Sequence, residues 1–130
     1  MKDKYKPKNY NSVSHYLIVD KAQKLVDLLK VIFKATALRR FDHENGTIAH
    51  IELKLDDTII MMSNSTYKYP NTTMLHFYVP DVFKTFNLAV DNGCKIIEHP
   101  INKPGDPDTR GAFMDFAGNY WAVSTQTKTD

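Results

Sequence analysis

The chain has 130 residues, 42% hydrophobic and 25% charged, enough for one compact domain or two small modules sharing a core. That composition excludes a disordered or fibrous chain, and no apolar run approaches the length of a membrane span. A net charge of +2 is too small to argue for nucleic acid, and a single cysteine, Cys94, excludes an internal disulfide and a cysteine-rich metal knuckle.

The chain opens with MKDKYKPKNYNS, where Lys2, Lys4, Lys6 and Lys8 alternate with polar residues. Residues 1–11 are expected to form a basic, solvated arm. The arm lacks the apolar stretch of a signal peptide, so a cytoplasmic protein is expected, and the sequons at Asn45, Asn64 and Asn71 read as chance matches. A strand is predicted over 12–19 (SVSHYLIV), then an amphipathic helix from Ala22 to Phe33 with Leu25, Leu28, Leu29 and Ile32 on one stripe. Strands follow near 35–42, 47–55 and 58–63.

The second half starts with a strand over 72–79 (TTMLHFYV) and a helix from about Pro80 to Asn92. Pro80 suits the first turn of that helix and Gly93 its C-terminal stop. Cys94, at the following corner, reads as a small buried side chain. Strands follow near 94–99, 110–115 and 119–125. Between the last two, MDFAGNYWAVST holds a tight turn over Asp115–Gly118.

A shift of sixty positions superimposes the halves: Leu17 falls on Phe77, Val19 on Val79, Ala22 on Val82, Val26 on Phe86 and Leu29 on Ala89. Each half is a βαβββ unit, 12–66 and 72–126, within a single domain over 12–130. One four-stranded sheet with one helix buries only one face well, so two such units should pair. The expected fold is α+β, with curved mixed sheets around a cleft and helices on the outer face.

This tandem plan resembles the vicinal oxygen chelate superfamily of glyoxalase I, bleomycin-resistance proteins and extradiol dioxygenases. The segments HYLIVDKAQKLVDLL, AHIELKLDDTIIMMS, LHFYVPDVFKTFNLAVDNGCKI and DFAGNYW are most similar to its short PhnB-like branch. Phe116 departs from the proline usual in the last motif, and Lys34 from the glycine usual after the first helix. The resemblance implies a homodimer and a small-molecule cleft on the sheet faces opposite the helices.

Strand alternation then assigns side chains to that face. Ser14, Tyr16 and Ile18 should point to it from the first strand, and Met74, His76 and Tyr78 from its sixty-shifted partner. Ala49, Ile51 and Leu53 should be buried, leaving His50, Glu52 and Lys54 opposite. Met61 should face the cleft if Ile60 and Met62 pack on the helix, and on the last strand Tyr120, Ala122 and Ser124 should face it, with Trp121 and Val123 behind.

By the resemblance, the superfamily's metal-ligand places fall on Ser14, Met61, Met74 and Ala122. These offer a hydroxyl, two thioethers and a methyl, not the imidazoles and carboxylates that zinc, nickel, manganese or iron require. A one-residue slip does not repair the set, because His15 and His76 lie on opposite faces. No metal and no cofactor are expected.

His50, Glu52 and His76 read as half-exposed strand residues satisfied by water, Lys54 or nearby tyrosines, as an acid–base couple, or as a displaced metal site. His43 and His99 are placed on surface loops. Tyr16, Tyr78, Tyr120, Met61 and Met74 would line the cleft with flat, adaptable apolar surface. The expected function is binding of a small organic ligand without the family metal. The alternatives are a metal-independent enzyme using His50, Glu52 or His76, and an interaction module with no ligand. Glu52 is offset by Lys54, with Arg39, Arg40 and Arg110 nearby, so a neutral or anionic aromatic ligand is expected. Nucleic-acid and membrane partners are not.

Overall fold

A computed structural model describes residues 5–127; Lys2 and Lys4 of the expected arm lie outside the described residues. The chain divides into two compact units between Asn71 and Thr72. In the first, β1 (Tyr16–Val19) leads to α1 (Ala22–Phe33), then β2 (Thr36–Asp42), β3 (Ile48–Leu55) and β4 (Thr58–Asn64). Its sheet runs β1-β4-β3-β2, with β1 parallel to β4 and the other pairs antiparallel. The second unit repeats the plan with β5 (Met74–Tyr78), α2 (Val82–Asp91), β6 (Lys95–Ile101), β7 (Asp108–Met114) and β8 (Tyr120–Gln126), in the order β5-β8-β7-β6. The fold is α+β: two tandem βαβββ units with mixed sheets, as the sixty-residue self-match predicts.

The helices start by one shared device. The Ala22 amide at the head of α1 donates to Asn64 Oδ1 (2.9 Å) at the end of β4. The Val82 amide at the head of α2 donates to Thr125 Oγ1 (2.9 Å), near the end of β8. Each unit's last strand therefore satisfies an orphan donor of its own helix. On α2 the Asp81 side chain also accepts from the Phe83 and Lys84 amides. Asp81 is the cap, so Pro80 stands before the helix and not in its first turn, a correction to the expected start. Gly93 follows α2 at φ 95°, the left-handed conformation that glycine adopts most readily. Lys34 takes that role after α1 at φ 56°, with the strain a side chain brings there.

The core of the first unit joins Leu25, Val26, Leu29 and Ile32 of α1 to Leu17, Val19, Ile51, Leu53, Ile60 and Met62 of the sheet, all buried. Leu28 is only half-buried, and Val26 takes its place on the stripe. In the second unit Val82, Phe86 and Ala89 of α2 are buried with Phe113, Trp121 and Val123. Cys94 is buried as expected, and burial followed by the nearby Asp115 charge pushes its thiol up to about 11.

Several local expectations change. β1 begins at Tyr16, not residue 12, because Asn11 diverts the approach: its amide nitrogen donates to Ser14 Oγ (2.8 Å) and its oxygen accepts the Ile59 amide (3.0 Å). Ser14 thus precedes the strand. On β3 a register shift sets Phe41 opposite His50 but Asp42 opposite Ile48. The extra residue is Ala49, which is half-buried, while Ile48 is buried in its stead. His99 lies within β6, its ring 5.5 Å from that of Phe86, and not on a loop. Asn45, Asn64 and Asn71 spend their side chains on the Thr47, Ala22 and Ile18 amides, a structural use for all three sequon residues.

Candidate functional site

Each sheet has one face against its helix and one free of it. On the first unit's helix-free face, Tyr16, Met61 and Glu52 form a row across β1, β4 and β3, since Tyr16 pairs with Met61 and Met61 with Glu52. His50, two residues before Glu52, shares that face. The Tyr16 hydroxyl lies 2.9 Å from His50 Nδ1, and His50 Nε2 lies 3.0 Å from Glu52 Oε2. A carboxylate only accepts, so the proton sits on Nε2, and Nδ1 is left to accept from Tyr16. The result is a continuous chain from phenol to imidazole to carboxylate.

Glu52 is 5% exposed, against the expectation of a half-exposed strand residue. Its second oxygen accepts from the Tyr10 hydroxyl, and Arg39 Nε approaches to 4.0 Å. Lys54, proposed from sequence as its counter-charge, is exposed; Arg39 and the two hydrogen-bond donors take that role. Burial pushes the Glu52 carboxyl up, but the bonds from His50 and Tyr10, the charge that His50 carries when protonated and the Arg39 charge outweigh it and hold it below the usual range. The same bond raises the Tyr10 phenol. Tyr10 is half-buried and sits in the segment expected to be a solvated arm, so that expectation is corrected: residues ahead of β1 complete a buried polar cluster.

The Glu52 linkage has a definite sign. A carboxyl with a depressed folded pKa stabilises the protein above its unfolded pKa and loses that contribution as pH falls through the folded value. Urea unfolding of wild type and Glu52→Gln should therefore differ most near neutrality, with the gap narrowing as pH drops below the ordinary carboxylate range. A gap constant with pH would show that the charged form gains nothing from its partners.

On the second unit's helix-free face, Met74 pairs with Tyr120, His76 with Ala122 and Tyr78 with Ser124. His76 Nε2 lies 2.9 Å from Ser124 Oγ, and its ring meets that of Tyr78 edge-on at 4.6 Å. The Tyr78 hydroxyl donates to Asp108 Oδ2 (2.8 Å), and this carboxylate raises the phenol's pKa. Asp108 is buried and paired with Arg110 Nη2 at 3.0 Å, while Arg110 Nε meets Asp106 at 2.8 Å. Arg110 is thus committed to two carboxylates, and Arg40 to Asp42 and Gln23, so neither supplies the free positive charge expected from sequence. Met74 and Tyr78 stand 68% and 57% exposed.

The turn before β8 is explained structurally. Asp115 is buried and accepts from the Ala117 and Asn119 amides, the Asn119 side chain and Trp121 Nε1 (2.8 Å). Gly118, at φ 89°, closes the turn by donating to the Asp115 carbonyl. Trp121 is buried and Tyr120 half-buried, as alternation on β8 requires.

Neither a protein-family model nor a curated protein matches the sequence. Solved structures do. TioX from Micromonospora sp. ML1 superimposes with a TM-score of 0.73 at 22% identity, over 88% of this chain and 99% of that one. The chain has the glyoxalase/bleomycin-resistance fold. A glyoxalase/bleomycin resistance protein/dioxygenase family enzyme from Burkholderia phytofirmans PsJN aligns at 0.67 and 12% identity, over 85% and 94%. FosX, a fosfomycin resistance protein from Listeria monocytogenes, aligns at 0.66 and 15%, over 90% and 94%. In this fold the metal places inferred from the resemblance hold poor donors. Ser14 is tied to Asn11, Met61 and Met74 offer only thioethers, and Ala122 offers no donor atom. That set does not fit a hard or borderline divalent ion. Among the described residues, no group of three or more His, Cys, Asp or Glu side chains is placed to share a metal.

Proposed function

We propose that this chain is a small-molecule-binding protein of the vicinal oxygen chelate superfamily, in its PhnB-like branch, that works without the family metal. It takes a small neutral or anionic organic ligand on the helix-free sheet faces. Ser14, Tyr16, His50, Glu52 and Met61 serve in the first unit, and Met74, His76, Tyr78, Tyr120 and Ala122 in the second. The observation that carries this reading is the makeup of those faces: aromatic rings and thioethers with a few polar tips, and no imidazole or carboxylate at the four inferred metal places. A fosfomycin resistance protein and a glyoxalase/bleomycin resistance protein/dioxygenase family enzyme among its structural neighbours support the small-molecule part of this reading. A cytoplasmic homodimer is part of the same reading, and light scattering at micromolar concentration tests the dimer.

A thermal-shift screen against neutral and anionic aromatic metabolites and antibiotics tests the function. A ligand at a hundredfold its dissociation constant adds about 2.7 kcal/mol. Tyr120→Ala should weaken that ligand markedly while costing much less stability than a core truncation. A screen without shifts, or a shift indifferent to every residue named, would contradict the proposal.

One observation favours a second reading. His50 is held against Glu52 with a fixed proton arrangement, as acid–base chemistry requires. A metal-independent enzyme would use that couple, with His76 acting in its own unit.

A further inference from the structure

The Tyr16–His50–Glu52 chain has a direction. Its inner end is buried with both oxygens engaged: Glu52 takes His50 Nε2 on one oxygen and Tyr10 on the other. Its outer end is the half-buried Tyr16 hydroxyl, which gives its one proton to His50 Nδ1 and keeps its lone pairs for another partner. Beside the chain lies an unspent polar atom. Ser63 Oγ, 1% exposed, has no hydrogen-bond partner among the described residues. Ser63 is two residues from Met61 on β4 and so shares its face. Ile51 pairs with Met62, so His50 and Ser63 are the next residues on their strands.

We propose that Tyr16, backed by His50 and Glu52, is a proton-accepting site that binds a weakly acidic hydroxyl of an aromatic ligand, a phenol or enol, as its anion. The step balances without any co-reactant. The ligand O–H bond breaks and its proton passes to the Tyr16 oxygen. The Tyr16 proton passes to His50 Nδ1, leaving a neutral tyrosine, an imidazolium beside the Glu52 carboxylate, and the ligand anion.

The chemistry selects this class. A carboxylic acid arrives already ionised and needs no acceptor, while an aliphatic alcohol is too weakly acidic to yield its proton to an imidazole. Phenols and enols lie between, within reach of an imidazole whose protonated form the adjacent Glu52 carboxylate stabilises. Other charged groups facing the site suit an anion. Lys68 Nζ stands 5.6 Å from the Tyr16 ring centroid, and Arg39 approaches Glu52 from β2. Lys54 shares the β3 face, and Tyr10 is the remaining titratable neighbour. Phe41, 61% exposed with its ring 6.3 Å from His50, and Met61 provide flat surface for the aromatic part.

This inference rests on the ligand-binding reading, and its test separates the two. Para-nitrophenol reports its own ionisation by absorbance, and para-nitroanisole is its analogue without the acidic hydroxyl. Both are titrated with the full chain just below the pH at which free nitrophenol ionises. The expected result is a saturable rise of the phenolate band. Tyr16→Phe and His50→Gln should each weaken nitrophenol by about tenfold more than they weaken nitroanisole, the worth of one strong hydrogen bond. Retained, saturable nitroanisole binding guards against misfolded variants. If nitrophenol binds as the neutral phenol, or its ionisation survives in Tyr16→Phe, the proton-accepting site is wrong and the binding reading stands. If neither probe binds and the thermal-shift screen is also blank, both fall.

Discussion

Trp121→Ala is expected to destabilise the protein by about 3–5 kcal/mol, the range for truncating a large buried aromatic. Trp121 is 1% exposed on the helix side of β8, among Phe113, Phe86 and Val123, all buried. At the position of α2 that matches Leu29 the second unit has only Ala89, which offers no long side chain to fill the void. The truncation also strips Asp115 of the indole N–H at 2.8 Å. Trp121→Phe separates the two effects, since it keeps most of the volume and loses only the donor. Urea unfolding should rank wild type above Trp121→Phe and that above Trp121→Ala. A loss below about 1 kcal/mol for the alanine variant would mean that the side chain is not core, and that alternation on β8 is reversed.

Asp115→Ala is expected to cost a comparable amount by a different route. It removes no large volume but orphans several donors at once: the Ala117 and Asn119 amides, the Asn119 side chain and the Trp121 indole. Asn119 and Trp121 are both buried, so water cannot readily replace the carboxylate. An orphaned buried donor costs about 1–3 kcal/mol, which puts the total at about 3 kcal/mol or more. Asp115→Asn should fall between, because it keeps an acceptor oxygen and adds an unwanted donor. Equal stability of Asp115→Ala and wild type would show that the turn stands without its carboxylate.

These two residues mark where the sequence was legible. Helix stripes, the sixty-residue match and strand alternation place Trp121, Tyr120, Met61 and His50 on their faces, because regular burial leaves a regular pattern. The Asp115 turn was readable as a turn. Its hold on Trp121 was not read, although a buried indole needs an acceptor and an acidic residue six positions earlier in a tight turn was the available signal. Non-local features left no such trace. Tyr10 meets Glu52 across 42 positions, and Tyr16 reaches His50 over an intervening strand. The extra residue at Ala49 reverses the alternation locally, and no propensity in AHIELKL announces it. The same long-range bonds turned Glu52 from a half-exposed strand residue into a buried carboxylate with both oxygens engaged.

Metal content bears most directly on the central claim. The protein is purified without a histidine tag, dialysed, and analysed for bound elements before and after titration with nickel, zinc and manganese. The donor set at Ser14, Met61, Met74 and Ala122 predicts no stoichiometric metal, and ligand-induced thermal shifts that are indifferent to a chelator. One equivalent of metal retained through dialysis and lost in His76→Ala or His50→Ala, with ligand binding lost alongside it, would contradict the metal-free binding protein.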